Sequence, residues 1–113
     1  MFKKDGGEIQ LITIKYYNEH GNGEMNLNVS NFVFYHTLKD FKILEKTIRI
    51  SNEPYKVAGE IIEELERVKR LSAEGWCTET FYALKWSTKD RAKMKEKFDK
   101  KADRFIDMVK KYV

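Results

Sequence analysis

The chain has 113 residues, of which 42% are apolar and 35% are charged, and its formal net charge is +4 at pH 7. This length predicts a single domain over residues 1–113, and the even spread of apolar residues excludes a disordered chain. No apolar run approaches the roughly 18 residues that span a bilayer. The single cysteine, Cys77, excludes an internal disulfide and suits a reducing compartment. We therefore expect a cytoplasmic protein without membrane association.

The first half of the chain has the composition of β-structure. Residues 8–17 (EIQLITIKYY) are rich in β-branched and aromatic side chains, which favours a first strand. Asn22-Gly23 then predicts the tight turn of a hairpin. Residues 25–36 (MNLNVSNFVFYH) begin with strict alternation of apolar and polar residues, which predicts a second strand. Residues 42–51 (KILEKTIRIS) predict a third.

The second half changes to helical spacing. Pro54 suits the first turn of a helix, and Gly75 is its expected end. Residues 78–86 (TETFYALKW) predict either a fourth strand or a short helix. Ser87 followed by Asp90 predicts the N-terminal cap of a final helix. The apolar stripe expected on the first helix consists of Val57, Ala58, Ile61, Ile62, Leu65 and Val68.

These elements follow the order β-β-β-α-(β)-α. We expect an α+β fold in which an N-terminal antiparallel sheet packs against two amphipathic helices. The sheet has three strands, or four if residues 78–86 are extended.

The surplus of positive charge lies in the last stretch, because residues 88–113 hold ten Lys and Arg against five Asp and Glu. On a helix, six of these cations form one edge about 33 Å long, which suits a phosphate backbone. The alternative, which the sequence favours, is that their stems cover the margin of the apolar stripe while neighbouring carboxylates pair with them. The six cations are Lys89, Lys93, Lys97, Lys100, Arg104 and Lys111.

Aromatic side chains of the predicted strands provide a second candidate surface. The face that does not meet the helices leaves one set exposed, and such a set can anchor a protein partner or stack on unpaired bases. The candidates are Tyr16, Tyr17, Phe34 and Tyr35.

Catalytic residues are harder to identify. His20 and His36 are expected at the hairpin tip and at a strand end, and Cys77 is expected to be inert packing. Cys77 forms a nucleophile pair with a histidine only if the fold brings them together. The chain has no phosphate-loop, dinucleotide-binding or metal-ligand motif, so we expect no catalytic residues, no metal site and no cofactor.

Taken together, the sequence favours a small intracellular, non-catalytic protein that acts by binding another protein. This profile is common among accessory or inhibitory proteins of phages and mobile elements. The alternative is a nucleic-acid-binding protein that uses the basic edge of the C-terminal helix, and a catalytic function ranks third. We expect a monomer, or a homodimer if the apolar arc of the final helix is wider than one sheet can cover.

Overall fold

A computed structural model describes residues 10–81 and 86–113. Within these ranges the only sheet is an antiparallel pair, β1 (Ile12–Asn18) and β2 (Gly21–Leu27). Short 3₁₀ helices cover Leu38–Asp40 and Lys110–Tyr112, and no helix in the described chain is long and apolar enough to cross a membrane. The predicted sheet of three or four strands is therefore wrong. The α-helices are α1 (Val29–Tyr35), α2 (Phe41–Ile50), α3 (Pro54–Lys69), α4 (Ala73–Phe81) and α5 (Thr88–Val109).

The predicted hairpin is present, but its turn precedes Asn22-Gly23. β1 ends at Asn18, and Gly21 has a φ of 113°, a left-handed conformation that glycine adopts without strain. Gly23 lies inside β2, where a Cβ would overlap the ring of Tyr16. Gly23 therefore makes room for an aromatic ring instead of forming the turn.

The second half of the predicted second strand is helical. β2 ends at Leu27, and the Asn28 carboxamide oxygen accepts a hydrogen bond from the N–H of Asn31 at 3.1 Å, which caps α1. Val29 and Val33, one helical turn apart, are both buried. The alternation was misleading because Val29 continues the period of two from Leu27 and also begins the buried face of a helix.

The predicted third strand, residues 42–51, is occupied by α2. Its buried residues Phe41, Leu44 and Ile48 are three and four positions apart, which is the spacing of a helical face. The β-branched residues of this segment favour a strand by composition, but such preferences are weak compared with the burial of one face.

Other parts of the chain contact the free edge of β1 near its middle and the chain just before its first residue. The N–H of Asn52 donates to the carbonyl of Lys15 at 2.8 Å, and Ser51 forms an isolated bridge to β1. At the other end, the N–H of Gln10 donates to the Glu64 carboxylate at 3.3 Å. These contacts limit the length of edge that another strand can pair with.

The helix predicted after Pro54 is confirmed, but it ends at Lys69, with Gly75 inside the next helix. The segment 78–86 begins as the last turn of α4, and its residues 82–85 lie outside the described residues. The predicted stripe is buried at Val57, Ala58, Ile61, Leu65 and Val68, and Ile62 is half-buried beside it.

The final helix and its cap are confirmed, since the Ser87 hydroxyl accepts a hydrogen bond from the N–H of Asp90 at 3.1 Å. Its apolar stripe is covered by the chain's own helices: Phe98 lies against Trp76 of α4, and Phe105 against α1 and α2. The wide apolar arc is thus no longer an argument for a dimer, and homodimerisation stays a prediction.

Two lysines of α5 bind the C-terminal ends of other helices. Lys95 is buried, and its Nζ donates to the carbonyl of Lys69, the last residue of α3, at 3.0 Å and to Asp99 at 2.7 Å. Lys101 is half-buried, and its Nζ donates to the carbonyls of Phe34 and His36 at 3.0 and 2.8 Å. A cation is favourable there because the C-terminal carbonyls of a helix carry partial negative charge.

Candidate nucleic-acid interface

Five of the six predicted cations lie on the outer surface of α5, and Lys111 follows the helix. Lys100 is two residues from both Phe98 and Ala102, so it points about 200° around the helix from these buried side chains. The stem of Lys100 therefore does not cover the margin of the apolar stripe, whereas Lys97 lies at that margin, three residues from half-buried Met94. The exposed residues are Lys89, Lys93, Lys97, Lys100 and Arg104.

Two carboxylates of α5 bind cations outside this row, whereas Glu96 and Asp107 are exposed. Asp99 binds Lys95, and Asp103 binds Lys69 of α3, which raises the pKa of Lys69. Lys111 binds Glu45 of α2 at 2.7 Å. None of the five exposed cations has a carboxylate oxygen of a described residue within 4.0 Å.

A second set of cations lies on α2 and just before it, and the sequence analysis missed it. Lys39, Lys42 and Lys46 are exposed, and no ion pair joins them to another described residue. Arg49, one turn further on, donates to the hydroxyl of Tyr112 at 3.2 Å. Their spacing of three and four residues places them on one side of a helix, and this was the signal that could have found them. It was missed because residues 42–51 were expected to form a strand, on which this spacing does not define a face.

The two sets of cations lie on neighbouring elements. The ring of Phe41, at the start of α2, is 6.0 Å from that of Phe105 in α5, and the Nζ of Lys111 is 5.8 Å from the Phe41 ring. Glu45, which binds Lys111, is three residues from Lys42 and therefore shares its side of α2. We call these exposed cations the basic face: Lys39, Lys42, Lys46, Lys89, Lys93, Lys97, Lys100 and Arg104.

The four aromatic candidates are divided between two elements. Tyr16 packs over Gly23, whereas Tyr17 is 68% exposed on the other face of β1. Phe34 and Tyr35 lie on α1 instead of a strand, with Phe34 half-buried and Tyr35 66% exposed.

Tyr35 lies beside the basic face. Lys101 of α5 binds the carbonyls of Phe34 and His36, the residues on either side of Tyr35. The rings of Phe34 and Tyr35 meet edge to face at 4.9 Å, and Phe34 also lies 6.1 Å from the ring of Trp86. Tyr35 is thus the exposed member of an aromatic cluster that borders α5.

His36 is the neighbouring ring at the end of α1. It stacks on Phe32 with 4.2 Å between ring centroids, and its Nδ1 is 3.3 Å from the Asp40 carboxylate. The pKa of Asp40 is lowered by the backbone N–H of Thr37 and then by the hydrogen bond with His36. The ring is therefore held in one orientation while it remains partly accessible.

The possible catalytic groups are not brought together. His20 is exposed in the hairpin loop, 3.6 Å from Glu19. Cys77 is buried in α4, and burial raises the pKa of its thiol, so the nucleophilic thiolate is disfavoured. Within the described ranges neither histidine is hydrogen-bonded to Cys77, and no three His, Cys, Asp or Glu side chains are grouped to hold a metal.

An open groove of about 710 Å³ lies between β1 and α3. Its walls carry charges of both signs, with Lys56 3.9 Å from Glu53 and Arg67 3.0 Å from Glu64. These pairs largely neutralise each other, so the groove attracts neither anions nor cations strongly.

Comparison with known proteins identifies no relative: no protein-family model, curated protein or solved structure matches this chain. A functional assignment therefore depends on the basic face and the residues that surround it.

Proposed function

We propose that this protein is a non-catalytic binding protein and that the basic face binds the phosphate backbone of a nucleic acid. The proposal is carried by one observation: these eight cations are exposed and, in the described chain, unpaired, while Glu45, Asp99 and Asp103 are bound to other groups. Lysine and arginine side chains that neutralise phosphates release condensed counterions, and this release drives binding.

The size and balance of the surface also support the proposal. Lys89 and Arg104 are about 22 Å apart along α5, which matches about six phosphates of a strand at a spacing of about 3.4 Å. On α5 itself, five exposed cations are accompanied by four exposed carboxylates, Asp90, Glu96, Asp103 and Asp107, of which Asp103 is bound to Lys69; α2 and the turn before it add three more exposed cations of the basic face. This surplus of unpaired cations over unpaired carboxylates attracts a polyanion.

Fluorescence anisotropy with labelled single-stranded and duplex oligonucleotides, at about 50 and about 200 mM salt, tests the proposal. If four cations contact phosphates of a single strand, the affinity falls about 50-fold over this range. Neutralising three cations makes the slope of log K against log salt shallower by about two to three units. The substitutions are Lys93→Gln, Lys97→Gln and Lys100→Gln in one protein.

A control protein loses the same amount of charge from the groove between β1 and α3. In both proteins the net charge falls from +4 by three, to +1, so an effect of total charge alone appears equally in both. We expect only the α5 protein to lose affinity. Absence of binding by the wild type at low salt, or equal losses in the two proteins, contradicts the proposal. The control carries Lys15→Gln, Lys56→Gln and Arg70→Gln.

Binding of a protein partner is the second candidate, and it is supported by the outer face of β1. Tyr17 of β1 is 68% exposed, and Leu11, the residue before β1, is 56% exposed. Exposed apolar and aromatic side chains of this kind are typical anchors of protein interfaces. Such a partner does not require steep salt dependence, which separates the two candidates. A role as a phage or mobile-element accessory protein stays a prediction.

A further inference from the structure

We infer that the basic face binds single-stranded nucleic acid in preference to duplex, with Tyr35 stacking on an unpaired base. The inference rests on the proposed function, and it adds the class of nucleic acid and the residue that recognises it.

Tyr35 is held next to α5. Lys101 binds the backbone on both sides of Tyr35, and Lys97 lies one helical turn before Lys101 on the same side of α5. Lys39 follows Tyr35 by four residues, in the 3₁₀ helix that leads into α2. The backbone around Tyr35 therefore lies beside the part of α5 that carries Lys97 and Lys101, next to the path of a strand bound to the α5 cations.

Neighbouring aromatic rings support the ring of Tyr35. Tyr35 is 66% exposed, but the edge of Phe34 contacts it at 4.9 Å, and Phe34 is itself packed against Trp76 at 5.6 Å. The neighbouring His36 ring is fixed on Phe32. Aromatic rings held in this way stack on bases at little entropic cost, and every base has a face that can stack.

Single-stranded and duplex nucleic acids differ in the base surfaces that they offer to Tyr35. In a duplex the faces of the bases are covered by their neighbours, so only phosphates reach the basic face. A single strand offers the same phosphates and adds bases that stack on Tyr35. The aromatic ring among the cations thus contributes affinity for single strands alone.

The test compares probes of about 12 nucleotides that share phosphate number but differ in their bases. The probes are oligothymidine, an abasic strand of equal length, and a duplex, with oligouridine added to compare DNA with RNA. We expect wild type to bind oligothymidine about tenfold more tightly than the abasic strand, from the value of one stacked base. We expect the duplex and the abasic strand to bind with similar affinity once the salt concentration is adjusted for the higher charge density of the duplex.

Variants assign the effect to one ring. Tyr35→Ala is expected to lose about tenfold in affinity for oligothymidine and almost none for the abasic strand, whereas Tyr35→Phe keeps the stack. Tyr17→Ala and Tyr55→Ala are matched controls, because their side chains are 68% and 66% exposed on other elements.

The outcomes separate this inference from the proposed function. Equal binding of abasic and normal strands by wild type, which does not depend on any variant folding, overturns the role of stacking and leaves the phosphate surface intact. A loss in Tyr17→Ala as large as that in Tyr35→Ala also overturns it. Absence of binding to every probe at low salt overturns both, and directs attention to a protein partner.

Discussion

Replacing Lys101 with methionine should destabilise the protein although the side chain lies at the surface of α5. Helix α1 has seven residues, and a helix this short depends on partners for its last carbonyls. The Nζ of Lys101 provides them through hydrogen bonds of 3.0 and 2.8 Å to the carbonyls of Phe34 and His36. Burial lowers the pKa of Lys101, which agrees with a cation removed from much of its water.

The size of the effect follows from these two bonds. A hydrogen bond from a charged group contributes about 1.5–3 kcal/mol when buried, and water replaces part of it at a half-buried site. We therefore expect Lys101→Met to reduce the free energy of unfolding by about 2 kcal/mol, since methionine retains most of the apolar stem. This is a large part of the roughly 5–15 kcal/mol that stabilises a typical domain. It corresponds to a fall of about 8 °C in Tm for a chain of this length.

Urea denaturation followed by circular dichroism measures this difference. Lys100→Met is the matched control, because Lys100 is the adjacent lysine, is exposed, and has no hydrogen-bonding partner among the described residues. Its stability should remain within about 0.5 kcal/mol of wild type. Equal urea midpoints for Lys100→Met and Lys101→Met would refute the bond between Lys101 and the end of α1.

Two further predictions concern the hairpin and the loss of stability at low pH. Gly23→Ala should cost about 1–3 kcal/mol because the new methyl group displaces the Tyr16 ring, and a double-mutant cycle with Tyr16→Ala should remove most of that cost. The pKa of Glu45 is lowered, first by the hydrogen bond from Lys111 and then by that from Tyr112. The contribution of Glu45 to the free energy of unfolding is therefore present at neutral pH and is lost as pH falls through its folded-state pKa. Between about pH 6 and pH 3, wild type should therefore lose more stability than Glu45→Gln, and equal losses would count against this pair.

The parts of the fold that were predictable are those with a long, one-sided pattern. The α3 stripe from Val57 to Val68 repeats over several helical turns, and α5 begins at a clear cap, Ser87. In both helices the local signals agree with the final packing. The segments around Val29 and Leu44 are short, and each fits both a strand and a helix. Burial against α3 and α5 decides between the two, and that information is not local.

The candidate site was predictable to the same extent. Spacing alone identified the α5 row, including exposed Lys100, but it does not show that Lys101 reaches the backbone of another helix. The α2 cations were missed because the wrong period was assigned to residues 42–51. Tyr35 was one of four aromatic candidates, and its place beside α5 depends on α1 being a helix.

The distribution of ion pairs on α5 argues against a role of the exposed row in stabilising the helix. Lys93, Lys97 and Lys100 are three or four residues apart, and like charges at this spacing destabilise a helix by about 0.2–0.5 kcal/mol per pair. Asp103, three residues from Lys100, binds Lys69 of α3 instead of relieving this repulsion, so Glu96, four residues before Lys100, offsets only part of it. A local arrangement that sacrifices stability is expected where a ligand compensates for it. Neutralising these three lysines should therefore leave the free energy of unfolding equal or higher while it removes binding. A row that served only to stabilise the helix would lose stability instead.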